Sequence, residues 1–99
     1  MMNEQVAVRR KVSHKLRRYL SEVLPTETAG LTTDAHQIAS EILGEAESAL
    51  PDGKLRRNLF VEVLDVRAVL TNGPPSGVDV GLLKIKMARL SSSFDSLLA

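Results

Sequence analysis

The chain of 99 residues contains no cysteine and no tryptophan, and its only aromatic residues are Tyr19, Phe60 and Phe94. Without cysteine it has no disulfide bond, zinc–thiolate site, iron–sulfur cluster or thiol nucleophile. So few rings argue against modules that stack nucleic-acid bases on aromatic platforms. A short chain without such cross-links must bury a good apolar core, or complete one with a partner.

Long apolar runs are also missing. The longest uncharged stretch, residues 68–78, includes Asn-Gly-Pro-Pro-Ser-Gly, whereas a membrane span needs about 20 apolar residues. The first residues, Met-Met-Asn-Glu-Gln, do not have the apolar core of a secretion signal. We therefore expect a cytoplasmic protein that does not contact a membrane.

The sequence also lacks recognisable catalytic and metal-binding patterns. His14 and His36 are the only histidines, and neither belongs to a spacing typical of metal ligands. The chain has no glycine-rich phosphate loop and no nucleophile elbow. We expect no catalytic residue, no metal site and no cofactor, and therefore a protein that is not an enzyme.

The positions of the prolines and the many aliphatic side chains are the most informative features of the sequence. Helices stop near proline, because proline has no backbone N–H and restrains the preceding residue. Pro25, Pro51 and the pair Pro74-Pro75 divide the chain into segments of about 4–24, 32–50, 53–72 and 77–98. With 15 Leu, 10 Val and 3 Ile, these segments predict one all-α domain over residues 1–99, a small four-helix bundle made of two helical hairpins.

Apolar residues recur at helical spacing in the segments. The fourth segment is the clearest, with spacings of 3, 4, 3, 4 and 3, typical of a coiled-coil seam; it comprises Val80, Leu83, Met87, Leu90, Phe94 and Leu97. Thr32 or Thr33 is expected to cap the second helix. Ser76 and Asp79 resemble a capping box before the fourth.

The third segment has two interpretations. Residues 59–70 are rich in β-branched side chains and precede Asn72-Gly73, so a C-terminal β-hairpin after two N-terminal helices is the alternative fold, of class α+β. Strand alternation, however, would place Asp65 and Arg67 on the same face as Val61 and Val63. Helical spacing instead gathers the large apolar residues on one side and favours a helix.

The third segment also carries apolar residues outside its main stripe. Burying one such side chain is worth roughly 1.5–3 kcal/mol, so several left exposed would be costly. We therefore predict a homodimer, or a groove that receives a partner. The surface combines this second face of the third segment with the seam of the fourth. The residues assigned to it are Phe60, Val61, Leu64 and Val69 of the third segment, and Leu83, Met87, Leu90 and Phe94 of the fourth.

Charge is distributed unevenly along the chain. The overall formal charge is +1, but residues 4–24 carry a net charge of +4 and residues 32–50 a net charge of −4. The basic face of the first helix has three main interpretations: a solvated face partly compensated by the acidic second helix, a docking surface for an acidic protein, or a contact with nucleic-acid phosphates. Binding to a membrane surface is a fourth, disfavoured because this helix has no Trp or Phe to anchor it. The residues assigned to partner binding are Arg10, Lys11, Lys15, Arg17 and Arg18.

These patterns favour an interaction protein. We expect a small regulatory or adaptor protein of the antiactivator, inhibitor or chaperone type, which binds a protein partner. The alternative is a nucleic-acid-binding accessory protein that uses the basic face of the first helix. The comparison with such proteins is one of architecture, and a fold by itself does not determine a function.

Overall fold

A computed structural model describes residues 4–98, and in this range it contains four α-helices and no strand. The helices are α1 (Glu4–Arg18), α2 (Thr33–Ser48), α3 (Lys54–Thr71) and α4 (Val80–Leu98). Each helix packs against the next, and α4 also packs against α1, so the four form a closed ring. The predicted all-α four-helix bundle is confirmed.

The β-hairpin alternative for residues 59–85 is wrong, because these residues form most of α3, a turn and the start of α4. The helical stripe explains the outcome. Leu59, Val63, Val66 and Leu70 are all buried on one side of α3, an arrangement that only a period near 3.6 residues produces. Tertiary burial of this stripe outweighs the β-propensity of the individual side chains.

The apolar seam of α4 lies inside the bundle. Leu83, Met87, Leu90 and Phe94 are completely buried, since α1 packs over α4 from one side and α3 from the other. These four residues cannot contact a partner while the fold is intact. Their predicted assignment to a dimer or groove surface is therefore wrong. Val69 is partly buried against the same core.

The first helix ends differently from the prediction. Regular α-helix stops at Arg18, followed by a π-turn at Tyr19–Val23 and a 3₁₀ turn at Leu24–Thr26. Pro25 explains the change, because its ring cannot donate a hydrogen bond and clashes with the carbonyl four residues earlier. In the widened turn, the Leu24 N–H donates to the Tyr19 carbonyl five residues back.

One predicted cap is confirmed and one is wrong. Thr32 caps α2, since its Oγ1 accepts a hydrogen bond from the Ala35 N–H at 3.1 Å. Before α4, however, Asp79 is itself the capping residue, and its Oδ1 accepts from the Leu82 N–H at 3.0 Å. Ser76 lies in a separate 3₁₀ turn, Pro75–Gly77. The two prolines delay the start of α4 beyond residue 77.

Two loops meet at the end of the bundle where α2 begins. The Leu31 N–H donates to the Pro75 carbonyl at 2.7 Å. Gly30 has a φ of +93°, and a Cβ at this position would overlap the backbone carbonyl of Ser76. Glycine is therefore required here twice, for its left-handed backbone conformation and for the close approach of the second loop.

His36 joins α2 to the end of α3. Its Nε2 lies 2.9 Å from the carbonyl oxygen of Leu70. Pro74, four residues after Leu70, has no N–H to donate to that carbonyl. Because a carbonyl oxygen can only accept, Nε2 must be the protonated ring nitrogen, and His36 has a structural role.

We predict that Gly30→Ala destabilises the fold much more than Gly73→Ala. Gly73 also has a left-handed φ, of +96°, but a Cβ there would meet no atom within 4 Å. Gly73→Ala should cost about 1–2 kcal/mol for the backbone conformation alone. Gly30→Ala should add roughly 1–3 kcal/mol for the overlap with Ser76. Urea unfolding midpoints measure both, and equal losses would contradict the proposed loop contact.

Candidate functional site

An open groove follows the contact between α1 and α2, and we refer to it as the α1–α2 groove. It consists of two adjoining cavities of about 570 and 360 Å³. Both cavities are lined by Lys15, Glu41 and Glu45. The groove is apolar at its base, where buried Val12 and Ile42 line the two cavities.

The groove also contains exposed apolar side chains. Val8 on α1 is 39% exposed and Ile38 on α2 is 41% exposed, and each lines one of the two cavities. Both follow the helical apolar stripes in the sequence, but α1 and α2 do not close over them. The site therefore combines a wide opening with apolar surface that water contacts.

Gly44 lies within the second half of α2 and lines the larger cavity. A Cβ at this position would meet no atom within 4 Å, so packing inside the chain does not require glycine here. Glycine within a helix is less stable than alanine by roughly 0.5–1 kcal/mol. The sequence analysis missed this site, although a glycine within a helical apolar period is the signal that could have revealed it.

Lys15 and Arg18, two of the residues predicted to bind a partner, line the groove but are already paired. The Lys15 Nζ donates to both carboxylate oxygens of Glu45, at 2.7 and 2.8 Å, and so crosses between α1 and α2. Arg18 pairs with Glu22 one turn later, at 3.1 Å. All four side chains remain largely in contact with water, so each pair contributes only about 0–1 kcal/mol.

Arg17 faces α4 instead of the groove. Its Nη2 lies 2.7 Å from Oδ1 of Asp95, and the same carboxylate oxygen accepts a hydrogen bond from the Ser13 hydroxyl. The hydrogen bonds from Arg17 and then from Ser13 hold the pKa of Asp95 below its usual range. Arg17 therefore holds α1 against α4 while its side chain stays exposed, and its assignment to partner binding stays a prediction.

Arg10 and Lys11 are the remaining predicted partner-binding residues. Both are exposed, and neither forms an ion pair within residues 4–98. Lys11 lines the larger cavity, but Arg10 does not line the groove. The structure thus brings Lys11, Lys15 and Arg18 to the groove and leaves Arg10 and Arg17 outside it.

The predicted dimer surface separates into buried and exposed residues. Phe60, Val61 and Leu64 are 42%, 51% and 44% exposed, and they lie on α3, which is diagonal to α1 in the ring. They do not line the α1–α2 groove. The exposed apolar part of α3 is therefore a second surface, distinct from the groove.

No protein-family model, curated protein or solved structure matches the chain. Over residues 4–98, no three His, Asp or Glu side chains lie close enough together to hold a metal ion. In the same range, no helix is both long enough and apolar enough to cross a membrane.

Tyr19 lines the smaller cavity from the core side. Its side chain is almost completely buried, and its hydroxyl donates to the Ala35 carbonyl at 2.8 Å. Burial, and secondarily the negative charge of Glu27, raises the pKa of Tyr19 to about 12. The ring therefore fixes the end of α1 against the start of α2 and positions one end of the groove.

We predict that folding stability falls between pH 10 and 12 because of Tyr19. The unfolded tyrosine loses its proton near pH 10 and the folded one near pH 12, so in this interval the unfolded chain binds fewer protons. Two pKa units correspond to about 2.7 kcal/mol.

Tyrosinate absorbance measures this titration directly, because the chain has one tyrosine and no tryptophan. Circular dichroism at each pH confirms that the helices persist. A midpoint near the ordinary value in the folded protein would contradict the burial of the hydroxyl.

Proposed function

We propose that the protein is a small helical adaptor or regulatory protein that binds one amphipathic helix of a partner protein in the α1–α2 groove and carries out no reaction. The observation that carries the proposal is Gly44. Packing within the chain does not require glycine at this position, and a side chain there would project into the larger cavity. A groove without that side chain lets the backbone of a docked helix approach closely.

The shape and polarity of the groove suit a helix. Docked amphipathic helices place apolar side chains one turn apart into a groove of this kind. Val8 and Ile38 supply exposed apolar surface in the two cavities. If the apolar face of a partner helix packed on these two residues, it would bury the apolar surface that α1 and α2 leave exposed to water.

The edges of the groove differ in charge and would orient the partner. The α1 edge carries Lys11, Lys15 and Arg18, and the α2 edge carries Glu41 and Glu45. A partner helix with acidic residues beside α1 and basic residues beside α2 complements both edges. The Lys15–Glu45 pair crosses the groove, but an exposed pair opens at a cost of only about 0–1 kcal/mol.

Nucleic-acid binding is the less supported function. Phosphate contacts need cations that are free to replace counterions. On α1, however, Lys15, Arg17 and Arg18 already pair with carboxylates. Two of these carboxylates, Glu45 and Asp95, lie outside residues 4–24, so the fold offsets about half of the net charge of +4 in that segment.

The test uses a designed helical peptide of about 18 residues, with leucines every three or four positions, glutamates along one edge and lysines along the other. We expect the folded protein to bind this peptide and not a scrambled peptide of the same composition. Gly44→Leu should weaken binding at least tenfold, about 1.4 kcal/mol, because the new side chain fills the larger cavity. Fluorescence anisotropy of the labelled peptide measures the affinities.

The matched control is Ser92→Leu, which adds the same side chain at an exposed position on α4. This variant should bind the peptide as the wild type does. Both variants should remain helical by circular dichroism, since leucine is a better helix former than glycine or serine. Equal peptide affinity for Gly44→Leu and wild type would contradict the proposal, as would binding of duplex DNA at low salt with no binding of the peptide.

A further inference from the structure

The exposed side of α3 carries a seam of its own. Lys54, Arg57, Val61, Leu64 and Ala68 are all exposed and recur at spacings of 3, 4, 3 and 4. Phe60 borders this seam and is also exposed. We call these six residues the α3 stripe. The spacing is the one with which a helix packs along another helix, and the centre of the stripe is apolar.

The charges of α3 that form no ion pair in residues 4–98 are separated by sign along the helix, because the later cation Arg67 pairs with Glu47. Its first turn holds Lys54, Arg56 and Arg57 and no acidic residue, although the helix dipole disfavours cations at this end. Asp65 lies in the second half and is exposed. Within the described residues 4–98, neither Asp65 nor any of the three cations of the first turn forms an ion pair.

On α1, by contrast, Lys15, Arg17 and Arg18 pair with carboxylates, although Arg10 and Lys11 do not. The only ion pair of α3 in residues 4–98 joins Arg67 to Glu47 of α2. Arg67 lies off the α3 stripe, so this pair leaves the stripe uncovered. The charges near the stripe thus have no partner within the described fold.

We propose that two copies of the chain associate through the α3 stripe, with the two α3 helices antiparallel and Val61 near the twofold axis. Arg57 and Asp65 are each four residues from Val61. An antiparallel pairing centred there places Arg57 of each copy beside Asp65 of the other. The apolar residues Phe60, Val61 and Leu64 then meet across the axis.

Charge complementarity favours a second copy of the chain as the partner that binds the α3 stripe. A twofold axis applies one surface to itself, so the surface must be self-complementary. The antiparallel arrangement brings the basic first turn of one α3 towards Asp65 and the negative dipole end of the other. A parallel arrangement would place the cations of both copies together and would be disfavoured.

The α3 stripe shares no residue with the α1–α2 groove. Self-association and helix binding can therefore be tested separately, and either can fail while the other holds.

The experiment is sedimentation equilibrium over a range of protein concentrations for the wild type, Arg57→Glu, Asp65→Arg and the double variant. We expect a concentration-dependent dimer for the wild type. Each single substitution replaces two attractive pairs by two repulsive ones and should weaken the dimer at least tenfold. The double variant exchanges the charges and should restore dimerisation to within about threefold of the wild type.

A second pair of variants distinguishes the loss of the dimer surface from a loss of folding. Leu64→Glu should give a folded monomer, whereas Ile38→Glu, at a residue of similar exposure in the α1–α2 groove, should leave the dimer intact. Circular dichroism verifies that both variants fold. A wild-type monomer at all concentrations, single variants that dimerise normally, or a double variant that stays dissociated would each overturn the proposal.

Discussion

The structure depends on the packing of α1 over α4. The chain has no disulfide bond to stabilise a small core, so its interior must be closed by helix packing. Leu90 and Phe94 are completely buried because α1 covers the side of α4 that faces away from α3. Ser13 and Arg17 hold this contact through Asp95. Once the ring is closed, the α1–α2 groove and the α3 stripe remain open to water.

Proline positions and apolar periodicity were sufficient to predict four helices and most of the core. They did not show where the α4 seam would pack, since spacings of three and four residues suit a partner within the chain as well as one outside it. Leu83 and Met87 were therefore assigned to a surface although they lie in the core. Gly44 was missed because periodicity does not reveal the empty space beside a residue.

The pairing of charged side chains was the feature that could be predicted least well from the sequence. A helical projection shows which cations share a face, but it does not show which carboxylates the fold brings to them. Lys15 meets Glu45, 30 positions away in the chain, and Arg17 meets Asp95 on the last helix. Both proposals depend on which charges the fold pairs. The two edges of the α1–α2 groove carry opposite charges, and the charges beside the α3 stripe have no ion pair within the described residues.

Native-state hydrogen exchange measured by NMR tests most directly whether α1 and α4 close the fold as one unit. Buried parts of one cooperative unit exchange through the same global opening. The account predicts that the slowest amides around Leu16 in α1 and Leu90 in α4 report the same free energy of opening, within about 1 kcal/mol of the value from denaturant unfolding. Amides of α1 that open at a much lower free energy, while α4 stays protected, would contradict it.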